Sequence, residues 1–120
     1  MFRNSLCVVL LLAALATPAI AAPPDPGAIE RIEATIKLPR GSRPLADYER
    51  YYAVDTASGR RMIFGLYLID GEDPPGTSKL HLLDDASKLP IVMDGGCGVI
   101  QVRWDVASAQ IVSVACNGLA

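Results

Sequence analysis

The apolar positions of this chain change period several times, and each change marks an element. Leu6 to Ala16 is an unbroken apolar run. Ala28 to Leu38 fits two templates. As a helix it puts Ile29, Ile32 and Ile36 on one face, with Asp25 as N-cap, Pro26 in the first turn, and Glu33 four residues before Lys37. As a strand, Ile32, Ala34, Ile36 and Leu38 alternate with Glu33, Thr35 and Lys37. The start signals favour the helix, and Pro39 ends either element.

From there the period is that of strands. A short helical turn begins Leu45 to Val54, and Arg50 to Val54 reads as a strand. Arg61 to Ile69 is apolar on both parities, which predicts a central strand covered on both faces. Asp70 to Ser78 is the longest loop. Lys79 to Leu83 and Leu89 to Met93 read as short strands, and Val99 to Trp104 and Ile111 to Ala115 form a terminal hairpin. The tetrapeptide D-x-A-S recurs at Asp55–Ser58, Asp84–Ser87 and Asp105–Ser108. Aspartate at the first turn position accepts from the backbone two residues on, so the three copies predict three hairpins.

In the terminal hairpin, facing Cys97 with Cys116 pairs Val99 with Val114, Gln101 with Val112 and Arg103 with Gln110. That register leaves Asp105 to Ser108 as the turn. A one-residue bulge near the turn would reassign part of one strand. The fold expected is α+β, a small N-terminal helix packed on an antiparallel meander sheet of about five strands. A small all-β barrel or sandwich is the alternative if residues 32–38 are a strand.

The start of the chain changes this picture. One early cation, Arg3, a short apolar core and the A-x-A triplet Ala19-Ile20-Ala21 predict a secretory signal peptide over residues 1–21. The core is shorter than the roughly 20 apolar residues that span a bilayer, so no stable membrane insertion is expected after cleavage. Residues 22–27 then read as a proline-rich linker, and 28–120 as one globular domain. Export removes Cys7 and leaves Cys97 and Cys116, which have only each other to pair with in an oxidising compartment. It also removes Arg3, so ten basic residues face thirteen acidic ones, a net charge of −3. That balance offers no basic face for nucleic acid.

Candidate chemistry is sparse. His81 is the only histidine, it lies in an alternating strand, and no G-x-S-x-G motif accompanies it. One histidine and no free thiol do not make a zinc site. Asp70, Glu72, Asp73, Asp84, Asp85 and Asp94 are oxygen ligands on loops, but their spacing is not that of an EF-hand. No metal and no cofactor is expected. The G-G-C-G run at 95–98 lacks the lysine of a phosphate loop and reads as a left-handed turn. Tyr48, Tyr51, Tyr52, Tyr67 and Trp104 are strand residues first, though tyrosines also build binding surfaces.

The expected interaction surface is therefore Asp70, Glu72 and Asp73 with Tyr48, Tyr51 and Tyr52. The expected function is an exported, non-enzymatic binding or accessory protein of the bacterial cell envelope, such as an inhibitor or assembly factor, with a protein or envelope component as partner. The alternatives are a small hydrolase working through His81 or carboxylates, and a structural envelope protein with no discrete ligand.

Overall fold

The computed structural model describes residues 22–69 and 79–118. The expected signal segment and the acidic loop at 70–78 lie outside the described residues. Over the described residues the architecture is one helix, five strands in a single open mixed sheet, and three short 3₁₀ turns.

Helix α1 runs Pro26–Thr35. Asp25 caps it through extended backbone; its carbonyl accepts from the amides of Ala28 and Ile29, and its carboxylate makes no capping bond. Proline is tolerated here because a first-turn amide has no helical acceptor to lose. Ile29 and Ile32 are buried, and Ile36, already extended, packs at the margin. Pro24 is fully buried and Pro26 and Gly27 are helical, so the fold begins inside the segment that reads as a linker. Glu33 does not pair with Lys37; it accepts from Arg50 at 2.6 Å and so fastens the helix to the sheet.

Strands β1 (Glu49–Asp55), β2 (Met62–Leu68), β3 (Leu80–Leu82), β4 (Val99–Asp105) and β5 (Gln110–Cys116) lie in the order β3-β1-β2-β4-β5. β2 is central, as its two apolar parities predict: both its edges are filled, by β1 from Glu49↔Leu68 to Asp55↔Met62 and by β4 from Met62↔Asp105 to Leu68↔Val99. The antiparallel meander fails for that reason. With no free edge on β2, β3 adds to the outer edge of β1, and it does so in parallel, with Tyr51 opposite His81.

One face of the sheet carries Tyr52, Ile63, Tyr67, Ile100, Val102 and Trp104 against Ile29 and Ile32 of α1. Gly65 lies opposite Tyr52, whose ring crosses the space a side chain at 65 would need: a Cβ there would sit 2.9 Å from Tyr52 Cε1 and 3.2 Å from Val102 Cβ. Burying three tyrosines obliges their hydroxyls to find partners. Tyr48 donates to the carbonyl of Cys97 at 2.6 Å and accepts from the amide of Arg43 at 3.0 Å. Tyr52 donates to Glu33 at 3.2 Å and shares a short contact with the Tyr67 hydroxyl. Burial, the largest cause, and then the neighbouring Tyr67 and Glu33 raise the Tyr52 pKa far above its ordinary value; burial likewise raises that of Tyr67. Both stay neutral hydroxyls that can donate.

The disulfide between Cys97 and Cys116 is present, with Cα atoms 4.5 Å apart, but not in the expected register. Cys116 lies opposite Ile100, and Cys97 sits in a 3₁₀ turn, Gly96–Gly98, that brings it back beside the end of β5. Gly95 and Gly96 have φ of +119° and +53°, the left-handed conformations that turn requires. The shift flips β5, so Val114 and Cys116 join the face of Ile100 and Val102. A bulge at Arg103/Trp104 flips it back, leaving Ile111 opposite Trp104, where the expected register sets it opposite Val102. The closing pair is Asp105 with Gln110, so the connection is residues 106–109, one later than expected, with Ala109 at φ +52°.

Two of the three D-x-A-S copies close hairpins, at 55–58 and 105–108. In the first, Asp55 accepts from the Ala57 amide at 2.8 Å; in the last, the Asp105 carboxylate takes the Ser108 hydroxyl at 2.8 Å and the Arg60 guanidinium. The middle copy does not. There Asp85 accepts from the Ser87 amide at 2.9 Å and opens a 3₁₀ turn, Ala86–Lys88. The residues that follow, Leu89–Met93, form no strand.

The cross-link closes a sequence separation of 19, which the chain-entropy model values at about 3 kcal/mol. Cys97→Ser with Cys116→Ser should lower unfolding free energy by that amount, read as a drop in urea midpoint that reductant reproduces in the wild type. Gly65→Val should cost at least about 1–3 kcal/mol by overpacking against Tyr52; a thermal melt unchanged from wild type would contradict the packing described.

Candidate functional site

The helix covers one face of the sheet. What covers the other is a strap, residues 83–98, that returns from the outer strand β3 to β4 across β1 and β2. Strand parity puts Tyr51, Phe64, Leu66, Gln101 and Arg103 on this second face. Leu89 and Pro90 of the strap approach Phe64, Leu66, Gln101 and Arg103 and leave a cleft of about 200 Å³ between them. Its floor is apolar and its outer rim carries two polar heads. Arg103, directly opposite Phe64 in the ladder, places its guanidinium 4.9 Å from the ring centre. Beyond the cleft the strap presents Ile91 and Met93, 90% and 82% exposed. Exposed apolar side chains of that size beside an apolar cleft are what a contact surface offers.

The strap is held at its far end by Asn117. Its side-chain amide donates to the carbonyls of Val92 at 2.9 Å and Asp94 at 3.1 Å, and its side-chain oxygen accepts from Gln101 at 3.1 Å. Its backbone amide reaches the carbonyls of Val99 and Gly96. The residue before it is Cys116, so disulfide and asparagine together pin the G-G-C-G turn and the strap to the end of β5. Nothing in the linear order of C-N-G marks this role; only the return of the strap brings Val92 and Asp94 within reach.

At the other end of the same face lies His81. Its Nε2 is 2.5 Å from Glu49 Oε1, and its ring stacks on Tyr51 with centroids 4.5 Å apart and planes 11° from parallel. Glu49 Oε2 accepts from the amide of Lys79 at 3.1 Å. The His81 hydrogen bond, opposed by burial and helped by the Lys79 amide, holds the Glu49 carboxyl below its ordinary value of 4.5. A histidine held by a buried carboxylate resembles the orienting half of a hydrolytic triad. Here the carboxylate also fixes β3 against β1, so the pair has a structural task. Glu49 carries no signal in the sequence; it becomes visible only when the parallel pairing sets β3 beside β1.

The residues singled out in the sequence are dispersed. Tyr48 and Tyr52 are fully buried in the core and present no surface, whereas Tyr51 belongs to the second face, half-buried against His81. Asp70, Glu72 and Asp73 lie outside the described residues. Asp84 pairs with Lys88 and Asp85 caps its own turn. Among the described residues no three His, Cys, Asp or Glu side chains gather in a way that could hold a metal ion.

A folded-state pKa below the ordinary value means that Glu49 contributes stability above about 4.5 and loses it as pH falls through the lower, folded value. Glu49→Gln should therefore weaken the fold at neutral pH by about 1.5–3 kcal/mol, the range for a hydrogen bond to a charged group. It should also flatten the fall in melting temperature on acidification; an acid limb identical to wild type would remove Glu49 from that account.

No protein-family model, no curated protein and no solved structure matches this chain.

Proposed function

We propose that this protein is an exported, non-enzymatic binding module whose open sheet face, between strap and β4, takes an apolar segment of a protein partner in the bacterial envelope. The observation that carries the reading is the cleft over Phe64 and Leu66 with Ile91 and Met93 exposed beside it. At about 200 Å³ it is smaller than the roughly 300–1,000 Å³ of small-molecule sites and is sized for one or two side chains of a larger partner. Arg103, already over an aromatic ring, is the residue type that anchors such contacts. The disulfide supports the exported half of the reading, since such bonds persist in oxidising compartments. No helix among the described residues is long and apolar enough to cross a membrane.

A second reading is favoured by the Glu49–His81 pair, which could orient an imidazole as general base in a small hydrolase. The two readings separate on one purified protein. A binding module captures a discrete partner from a periplasmic extract and leaves ester, glycan and peptide substrates intact. A hydrolase turns one of them over and loses that activity on His81→Ala.

Capture should be abolished by Arg103→Glu combined with Ile91→Asp, both exposed positions, with the melting temperature retained. Glu72→Lys with Asp73→Lys tests the acidic loop in the same assay. Capture lost only in the loop variant moves the surface to residues 70–78; capture unchanged in both removes the binding reading from both surfaces.

A further inference from the structure

Two irregularities of the backbone fall together, where the terminal hairpin passes beside the helix. The bulge at Arg103/Trp104 sets Ile111 opposite Trp104. The closing turn of the same hairpin holds Ala109 at φ +52°, a left-handed conformation that is costly for a residue with a Cβ. Bulges recur where a strand must re-aim a side chain. Trp104 and Ala109 both line two adjoining clefts between α1 and the sheet, of about 270 Å³ and about 470 Å³. The larger lies within the roughly 300–1,000 Å³ of small-molecule sites.

The helix meets this space with a stripe beside its buried isoleucines, Ala28, Arg31 and Thr35, spaced three and four residues apart. Trp104, almost fully buried, shows the last of its surface here, and half-buried Val54 and Val106 stand next to it. Two cations come to the same lining from different elements, Arg31 from α1 and Arg61 from the turn before β2. Among the described residues neither side chain enters an ion pair, whereas the adjacent Arg60 is taken by Asp105. Asp25 is the one carboxylate on the lining, and it reaches neither arginine. The clefts therefore keep an excess of positive charge beside an apolar surface.

From this we infer a binding site for a small organic anion, with a carboxylate bound by Arg31 and Arg61 and an apolar or aromatic body lying over Trp104. Charge complementarity chooses the head group. A guanidinium presents a planar fork that matches the two oxygens of a carboxylate, and these two forks have no acidic partner of their own. The apolar surface chooses the body. An inorganic anion would leave Trp104, Val54 and Val106 against water, whereas a ring or branched chain removes that surface from it. The site belongs to the helix side of the sheet, with Ile63 and Trp104, and not to the side of Phe64 and Arg103. It is therefore independent of the strap cleft and of any partner bound there.

Trp104 is the only tryptophan, so its emission reports on this site. Phenylacetate titrated into the purified protein at neutral pH and low salt should change that emission saturably. Phenylacetamide, alike in shape but uncharged, should bind at least about tenfold more weakly. Arg31→Gln with Arg61→Gln, both exposed, should weaken phenylacetate by a similar factor with an unchanged melt. Arg40→Gln, whose carbonyl lies by Cys97 at the other end of β4, should leave its affinity as in wild type. No saturable change up to the solubility of phenylacetate overturns the inference. So does equal affinity for the acid and the amide, or binding that the double variant leaves untouched.

Discussion

Three buried tyrosine hydroxyls set the position of everything that packs on the sheet. Tyr48, Tyr52 and Tyr67 have no exposed surface, and an unpartnered hydroxyl at such depth costs about 1–3 kcal/mol. Each is therefore matched to a group on a different segment. Tyr67 reaches Tyr52, and Tyr52 reaches Glu33, which Arg50 also holds, so the register of α1 on the sheet is fixed by polar contacts as well as by Ile29 and Ile32. Tyr48 reaches the carbonyl of Cys97, so the turn carrying the disulfide is tied to the start of β1. Apolar packing alone would let the helix slide; a hydroxyl with one acceptor does not.

The second face follows a different rule. It is closed by a strap with no strand or helix of its own beyond short turns, and a strap holds its place only where something fixes its ends. The ends here are the β3–β1 contact, built on Glu49 and His81, and the knot of Asn117 with the disulfide. Between them Leu89 and Pro90 cover part of β2 and leave Phe64 accessible beside Arg103. The same arrangement leaves Ile91 and Met93 in water, because a chain crossing a sheet can turn only alternate side chains inward.

One protein thus offers two kinds of surface. The cleft presents the side chains of Phe64, Leu66 and Arg103, whereas the β5 edge presents backbone. The cleft is lined by β2, β4 and the strap, whereas the edge depends on how β5 is placed. The loss of three positions of register relative to a hairpin with facing cysteines puts Val114 on the core side and leaves Val112 at the bulge, exposed.

Local features of the sequence determine the elements. Asp25 and Pro26 open the helix, its isoleucines choose the buried face, and the double-parity apolar run 61–69 can only be a covered central strand. Aspartate turns hold at 55 and 105, and glycines 95 and 96 supply the left-handed turn, because those effects act over two to four residues. Tertiary structure decides the pairings. Filling both edges of β2 sends β3 to β1 in parallel, the middle aspartate turn then feeds a strap instead of a hairpin, and Cys97 leaves the strand in which its spacing from Cys116 sets it. Glu49, Asn117 and Arg103 acquire their roles only through partners that the chain brings from 32, 25 and 39 residues away. Short-range chemistry is written in neighbouring residues, whereas edge occupancy and buried polar matching are properties of the assembled sheet.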